Sequence, residues 1–374
     1  MDGKKLGFGF MRLPLLDPDD PKSIDMEQLC RMVDAFLERG FTYFDTAYMY
    51  HLHQSEIALR EALVKRHDRD SFTVATKLPV SFLKVREDVE RIFAEQQEKC
   101  GVERFDYYLL HNINRGNYGR VEDFDCFPFV VRMKAEGKVG QIGFSYHDSA
   151  ELLDEILTAH PEVDFVQLQI NYIDWEDDGI QSRKCYETAV KHGKKVIVME
   201  PVKGGRLANV PEDVEKLFKE AEPEMSAASW AIRFAASLVQ VMMVLSGMSD
   251  LGQLMDNMSY MEDFVPLTGA EQNLVAQAAE MIRSSTAIAC TACRYCVDGC
   301  PQHIAIPEYF ALYNAEQMEM NKGSDTQGIY YRHYTLAHGK ASDCIGCGKC
   351  EKSCPQHLPV IEYLKQVSAC FDKA

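Results

Sequence analysis

Eight of the thirteen cysteines in this 374-residue chain fall into two strings of one design, Cys290-x2-Cys293-x2-Cys296-x3-Cys300-Pro301 and Cys344-x2-Cys347-x2-Cys350-x3-Cys354-Pro355. The second string stands 54 residues after the first (290 to 344). Its flanks repeat with it: Gln302 and Gln356, His303 and His357, Glu308 and Glu362, Tyr309 and Tyr363. Three thiolates spaced by two residues can wrap three corners of one cubane, and a fourth, stiffened by proline, reaches the other cluster. The strings therefore predict two [4Fe-4S] clusters. One would rest on Cys290, Cys293, Cys296 and Cys354, the other on Cys344, Cys347, Cys350 and Cys300. Zinc favours cysteines in pairs closing on one tetrahedron. Disulfides would need an oxidising compartment, and the N-terminus carries no export signal. Cys30, Cys100, Cys126, Cys185 and Cys370 share no such spacing and read as small apolar packing residues.

The elements that must position further chemistry lie ahead of the cysteines. Short runs rich in Val, Ile, Phe and Tyr alternate with amphipathic helical stretches, the pattern of a parallel sheet built from βα units. Strands are predicted near Leu6 to Phe10, Tyr43 to Asp45, Phe72 to Lys77, Tyr107 to His111, Gln141 to Ser145, Phe165 to Ile170, Val196 to Met199 and Met242 to Ser246. Eight such units close into a (β/α)8 TIM barrel. An added helix near Ala270 to Arg283 leads on, so the expected division is a barrel over 1–284 and a cluster domain over 285–374. In the latter, two helical stretches split by Asn321-Lys322-Gly323-Ser324 predict a mainly helical fold.

Reactive groups of such barrels sit where strands end at the C-terminal face. Here strand two ends Phe44-Asp45-Thr46-Ala47-Tyr48-Met49-Tyr50, strand three ends at Lys77 and strand four at His111. A carboxylate, a phenol, an ammonium and an imidazole thus converge on one mouth. This resembles the aldo/keto reductase family, whose tetrad is Asp, Tyr, Lys and His at these strand ends; the opening Leu6-Gly7-Phe8-Gly9 with Met11-Arg12-Leu13-Pro14 is also similar. The barrel joined to paired ferredoxin-like strings looks like that family's iron–sulfur branch. The resemblance implies Asp45, Tyr50, Lys77 and His111 as catalytic residues. Tyr50 would give its proton to the alkoxide left by hydride addition, with Lys77 lowering the phenol from its usual value near 10. Asp45 would hold the lysine, and His111 would hydrogen-bond the carbonyl oxygen. His51 and His53 match no family role and read as loop residues.

No Gly-x-Gly-x-x-Gly run follows a strand, so a Rossmann site is not expected. Barrels bind phosphate between the loops after strands seven and eight, which here offer Lys203, Gly204, Gly205 and Arg206, then Ser246 and Gly247. By resemblance, Ser145, Gln169 and Asn257 contact the two ends of NAD(P)H. The sequence departs from the family pattern at Tyr146, where an Asn usually stands, and at Met199, near which a stacking Tyr is expected. It departs again at Gly247 and Gln253, which take the places of the Lys and Arg that grip a 2′-phosphate.

The leading expectation is an oxidoreductase acting on a small-molecule carbonyl or alcohol, with the clusters in electron transfer. Hydride carries two electrons and a cluster passes one, so the two systems need a radical or flavin between them to couple. One alternative has the clusters feed a flavin or the substrate. Another is a non-enzymatic redox-sensing or regulatory subunit. A net charge of −17 repels nucleic acid and anionic lipid, so neither is expected as a partner, and a redox protein is kept as a candidate macromolecular one. The most apolar stretch, Ala231 to Met248, is broken by Arg233 and Gln240, which argues against a membrane span. A cytoplasmic protein is expected.

Overall fold

The computed structural model describes residues 4–177, 180–285, 287–318 and 326–372; the expected break at Asn321–Ser324 lies outside them. Among the described residues, eight parallel strands form a closed barrel. They are β1 (Leu6–Gly9), β2 (Tyr43–Asp45), β3 (Thr73–Leu78), β4 (Phe105–Ile113), β5 (Val139–Tyr146), β6 (Phe165–Gln169), β7 (Lys195–Met199) and β8 (Val241–Gly247). Each pairs with its sequence neighbour. The ring closes where Leu6 meets Val244 and Gly9 meets Gly247.

Alternation along a strand decides which side chains reach the barrel interior. Tyr43, Ala75, Tyr107, Leu109, Phe165, Ile197 and Leu245 fill it as one buried cluster. Their neighbours Phe44, Val74, Tyr108, Val166 and Val244 join the larger core beneath the outer helices. The interior is crowded. A Cβ on Gly143 would stand 2.6 Å from the Phe165 carbonyl oxygen and 2.7 Å from its ring, so only glycine fits beside that ring. Carrying the same alternation to the strand ends puts Asp45, Lys77, His111, Ser145, Gln169, Met199 and Gly247 on the inward side at the C-terminal rim.

The chain divides into two compact units, Met1–Val202 with Glu224–Val275, and Lys203–Pro223 with Ala276–Ala374. The expected boundary at 284/285 did not foresee that the segment after β7 groups with the cysteine-rich part. A buried bond from Lys203 to Gln356, 153 residues away, ties it there. The second unit has its own core of Ile288, Ile304, Ile306, Tyr309, Phe310, Tyr331, Val360, Leu364 and Val367, joined by Cys296 and Cys350. Each cysteine string is followed by a helix, Ile306–Met318 and Val360–Phe371, so the 54-residue repeat holds in structure as well as sequence. Among the described residues no helix is long and apolar enough to cross a membrane.

Candidate active site and cluster cavities

At the rim, Lys77 is fully buried. Its Nζ donates to Asp45 Oδ1 at 2.5 Å and to the Thr46 carbonyl at 2.7 Å. The same Nζ lies 5.0 Å from the centre of the Tyr50 ring, and the Tyr50 and His111 rings stand edge to face at 6.0 Å. The structure therefore brings all four expected residues together. Two buried atoms of this group, Asp45 Oδ2 and His111 Nδ1, have no hydrogen-bond partner among the described residues. Buried polar atoms left open mark where a ligand's polar atoms can go.

Tyr50 is carried by a strained loop. His51, Leu52 and His53 have φ values of 50, 50 and 72°, a left-handed run that costs side-chain-bearing residues about 1–2 kcal/mol each. His51 fixes it: Nε2 accepts from the Leu13 N–H at 3.2 Å, so Nδ1 holds the proton and donates to the Pro21 carbonyl at 2.8 Å. His53 Nδ1 meets the Tyr48 carbonyl at 2.9 Å. The two histidines read from sequence as plain loop residues thus hold the turn that presents Tyr50.

The electrostatics correct one expectation. Lys77 was to lower the Tyr50 phenol, yet its surroundings push that phenol well above the usual value, through burial first and then the carboxylates of Asp45 and Glu200. The lysine's charge is spent on Asp45 and the Thr46 carbonyl at closer range. Burial likewise pushes Asp45 up and Lys77 down, each opposed by attraction to the other. His111 falls well below the ordinary imidazole range through burial, the Lys77 charge and His147, which keeps the ring neutral. Glu200 went unnoticed in sequence. It directly follows β7, has φ 57°, and stands where a phosphate loop was expected; a carboxylate in that loop was the available warning.

Behind the rim, Glu56 is fully buried and was also missed. Its Oε1 accepts from Thr76 Oγ1 and from Gln96 Nε2, both at 2.7 Å. Gln96 also donates to the Lys77 carbonyl at 3.0 Å and accepts from the Tyr108 hydroxyl at 2.7 Å. Thr76 and Tyr108 are the outward-facing neighbours of inward residues, so this network braces β3 and β4 from outside.

The expected cofactor residues are placed differently. Ser145 Oγ accepts from the Asn112 N–H at 2.7 Å, next to the register shift of β4, and keeps its own proton to donate. Gln169 Nε2 donates to Asp174 at 2.9 Å, leaving its carbonyl. Asn257 is engaged at both ends: it donates to Ser246 Oγ at 2.7 Å and accepts from the Tyr260 hydroxyl at 2.6 Å. Ser246 faces outward to the helix Leu251–Met261, which carries Asn257 and Tyr260, and that direction does not suit a phosphate ligand. Tyr146 donates to the Ser149 carbonyl and is 2% exposed, so it cannot stand in for the family's Asn. Lys203, expected to balance phosphate charge, instead donates to Gln356 Oε1 at 2.8 Å inside the second unit. Gly204 and Gly205 follow it with φ values of 67 and 95°.

In the second unit, one cavity is lined by Cys290, Cys293, Cys296 and Cys354, and another by Cys344, Cys347, Cys350 and Cys300. Their linings repeat cysteine for cysteine, which suits two groups of one kind. None of the thirteen cysteines is in a disulfide. Four sulfurs round one zinc would close to within about 4 Å of each other. Among the described residues no three His, Cys, Asp or Glu side chains are grouped in that way. The backbone fits an anionic group too. Ala292 and Gly346 (φ 53 and 68°), Arg294 and Gly348 (66 and 70°), and His303 and His357 (52 and 50°) take left-handed turns at matching repeat positions. Such turns aim successive N–H groups into a concavity, and the Ala292 N–H already meets Cys290 Sγ at 3.4 Å.

Comparison with known proteins now decides the family. The family model described as aldo/keto reductase matches residues 5–280, and that described as a 4Fe-4S dicluster domain matches residues 289–358. The chain belongs to the aldo/keto reductase family. Among solved structures it is similar to an aldo-keto reductase from Bacillus halodurans in its holo form, at 21% identity over 73% of this chain and 91% of that one, TM-score 0.58. An aldo/keto reductase from Klebsiella pneumoniae in complex with NADP and acetate is 17% identical over 74% of this chain and 91% of that one, TM-score 0.58. One from Brucella melitensis is 18% identical over 73% and 94%, TM-score 0.55. No curated protein matched. At these identities the structures speak to fold. With the family match, the chain is an oxidoreductase that carries an iron–sulfur domain, which sets aside the non-enzymatic reading.

Proposed function

We propose that the barrel interconverts a carbonyl and an alcohol, with Tyr50 as the proton donor and acceptor. The observation that carries this is the buried Lys77–Asp45 contact at 2.5 Å with the Lys77 ammonium 5.0 Å from the Tyr50 ring. A bound nicotinamide would supply hydride to the carbonyl carbon. Tyr50 then gives its proton to the oxygen, so the carbonyl gains one hydride and one proton and becomes an alcohol. Neutral His111 donates an N–H to the same oxygen and orients it. A phenol held protonated suits reduction, where it must donate, better than alcohol oxidation, where it must first lose its proton.

NAD(P)H is supported by the family and by the NADP named with the Klebsiella structure. The free donor of Ser145 and the free carbonyl of Gln169 fit a carboxamide. Asn257 and Ser246 offer the far end little, since each already holds the other. That mismatch favours a second reading, in which the clusters feed electrons to a flavin or directly to the substrate. In either reading the cavities hold two [4Fe-4S] clusters on the cysteine sets that line them, the partners are a small carbonyl or alcohol and a one-electron redox protein, and the barrel and cluster domains divide near 284.

Cofactor analysis of anaerobically purified protein tests this. About eight iron and eight acid-labile sulfide per chain are expected, with NAD(P)H-dependent reduction of carbonyls. Bound flavin with no response to NAD(P)H would select the second reading. Stoichiometric zinc without sulfide would overturn the cluster assignment in both.

A further inference from the structure

The two cluster cavities are built from one repeat, yet the same glutamine is buried against a lysine in one and only half-buried in the other. Gln356 lines the cavity of Cys290, Cys293, Cys296 and Cys354, and its repeat counterpart Gln302 lines the other. Lys203, 2% exposed, donates to Gln356 Oε1 at 2.8 Å. Among the described residues no ammonium donates to Gln302. A lysine offers only donors, so it fixes which end of the amide it meets. With the Gln356 oxygen turned to Lys203, the amide's N–H donors are left for the cavity side. The charge distribution follows the same asymmetry. Arg294 lines the first cavity and is ion-paired with Glu308, whereas its repeat counterpart is Gly348. The walls are otherwise alike and apolar, Ile306, Phe310, Leu358 and Val360 in the first cavity and Ile304, Ile306, Ile345, Ile361 and Leu364 in the second.

We infer that Lys203, acting through Gln356, is a tuning residue that raises the reduction potential of the Cys290-Cys293-Cys296-Cys354 cluster and leaves the other cluster untouched. Reduction adds one negative charge to a cluster; a nearby cation and N–H donors to its sulfurs stabilise that added charge. The sequence repeat supplies two alike ligand sets, and the segment after β7 makes them unlike. The electron involved comes from an external one-electron donor, such as a low-potential iron–sulfur or flavin carrier.

This rests on the reading that both cavities hold clusters, and the experiment separates the two. Full-length protein is purified anaerobically, its iron and sulfide are measured, and it is titrated reductively under electron paramagnetic resonance. Cys347→Ser, which alters one signal, identifies the second cluster. Lys203→Met and Gln356→Leu are each expected to move the first cluster's midpoint to lower potential with the second unmoved, and the double variant to move it little further. Gln302→Leu should leave the first cluster's midpoint in place. Equal shifts in both clusters, or none, would overturn the inference. Lys203→Gln keeps a donor but removes the charge. If both Lys203→Gln and Lys203→Met lose the first cluster's iron, the lysine is structural and the tuning role fails. Absence of cluster signals in the parent protein would instead defeat the cluster reading itself.

Discussion

The two sides of the barrel rim respond differently to the same inherited pattern. On the β2 to β4 side, Asp45, Lys77 and His111 follow strand alternation inward, and atoms of two of them are left open. On the β5 to β8 side, Asn257 and Ser246 bond each other and Asn257 also takes the Tyr260 hydroxyl, while Gln169 gives its amide N–H to Asp174 and keeps only its carbonyl. A residue on the inward side of a strand end is placed at the rim by alternation alone, because the strand fixes its direction. A residue that alternation turns outward, as at Ser246, or that an outer helix carries, as at Asn257, is not, because a local partner can claim it.

The largest effect expected from that contrast is at Tyr50. Tyr50→Phe keeps the ring's shape and removes the proton, so turnover should fall by about 10² to 10⁴ with the fold intact by circular dichroism. Because His111 is pushed below and Tyr50 above their ordinary values, neither should titrate between about pH 6.5 and 10. The reductive rate should therefore show no limb from either residue in that range. Full turnover in the Phe variant would erase the difference between the two sides.

The bracing carboxyl behind β3 comes next. Burial pushes Glu56 from 4.5 up to about 7 despite its bonds to Thr76 and Gln96. A raised acid stabilises the fold fully below its unfolded value, and that contribution is lost as pH rises through the folded one. The gap is worth on the order of 3 kcal/mol. Urea unfolding at pH 5 and pH 8 should show wild-type protein losing roughly that much between the two, and Glu56→Gln losing much less. An equal loss in both proteins would assign the titration elsewhere.

Much of this was legible beforehand, for identifiable reasons. The eight strands follow from short β-branched runs and match expectation to within two residues at their ends; pairing to neighbours extends some, as in β4 from Phe105 to Ile113, and others stop early, as β6 does at Gln169. The cysteine grouping follows from spacing, since the repeat and its prolines leave few ways to close two cavities. Lys203 was not legible: a Lys-Gly-Gly loop fits a phosphate, and its acceptor lies 153 residues on. Nor was the direction of the Tyr50 shift, which depends on burial, on Asp45 and on Glu200 from the loop after β7. Glu56 was hidden because a lone Glu within a helix usually faces water.

The smallest effect tests the quiet side of the rim. Asn257→Ala removes a donor from Ser246 and an acceptor from the Tyr260 hydroxyl, both buried. A buried partner left unsatisfied costs about 1–3 kcal/mol, and Ser246 can partly recover by turning its hydroxyl, so a loss near the middle of that range is expected in thermal or urea unfolding. If the amide is a brace, KM for NADPH and NADH should stay within about twofold of wild type while stability falls. If it turns to the cofactor in solution, KM should rise tenfold or more, about 1.4 kcal/mol of binding, with little change in stability. The second outcome would mean that a ligand can outbid the Ser246 and Tyr260 bonds, and that the two sides of the rim differ only while the mouth is open.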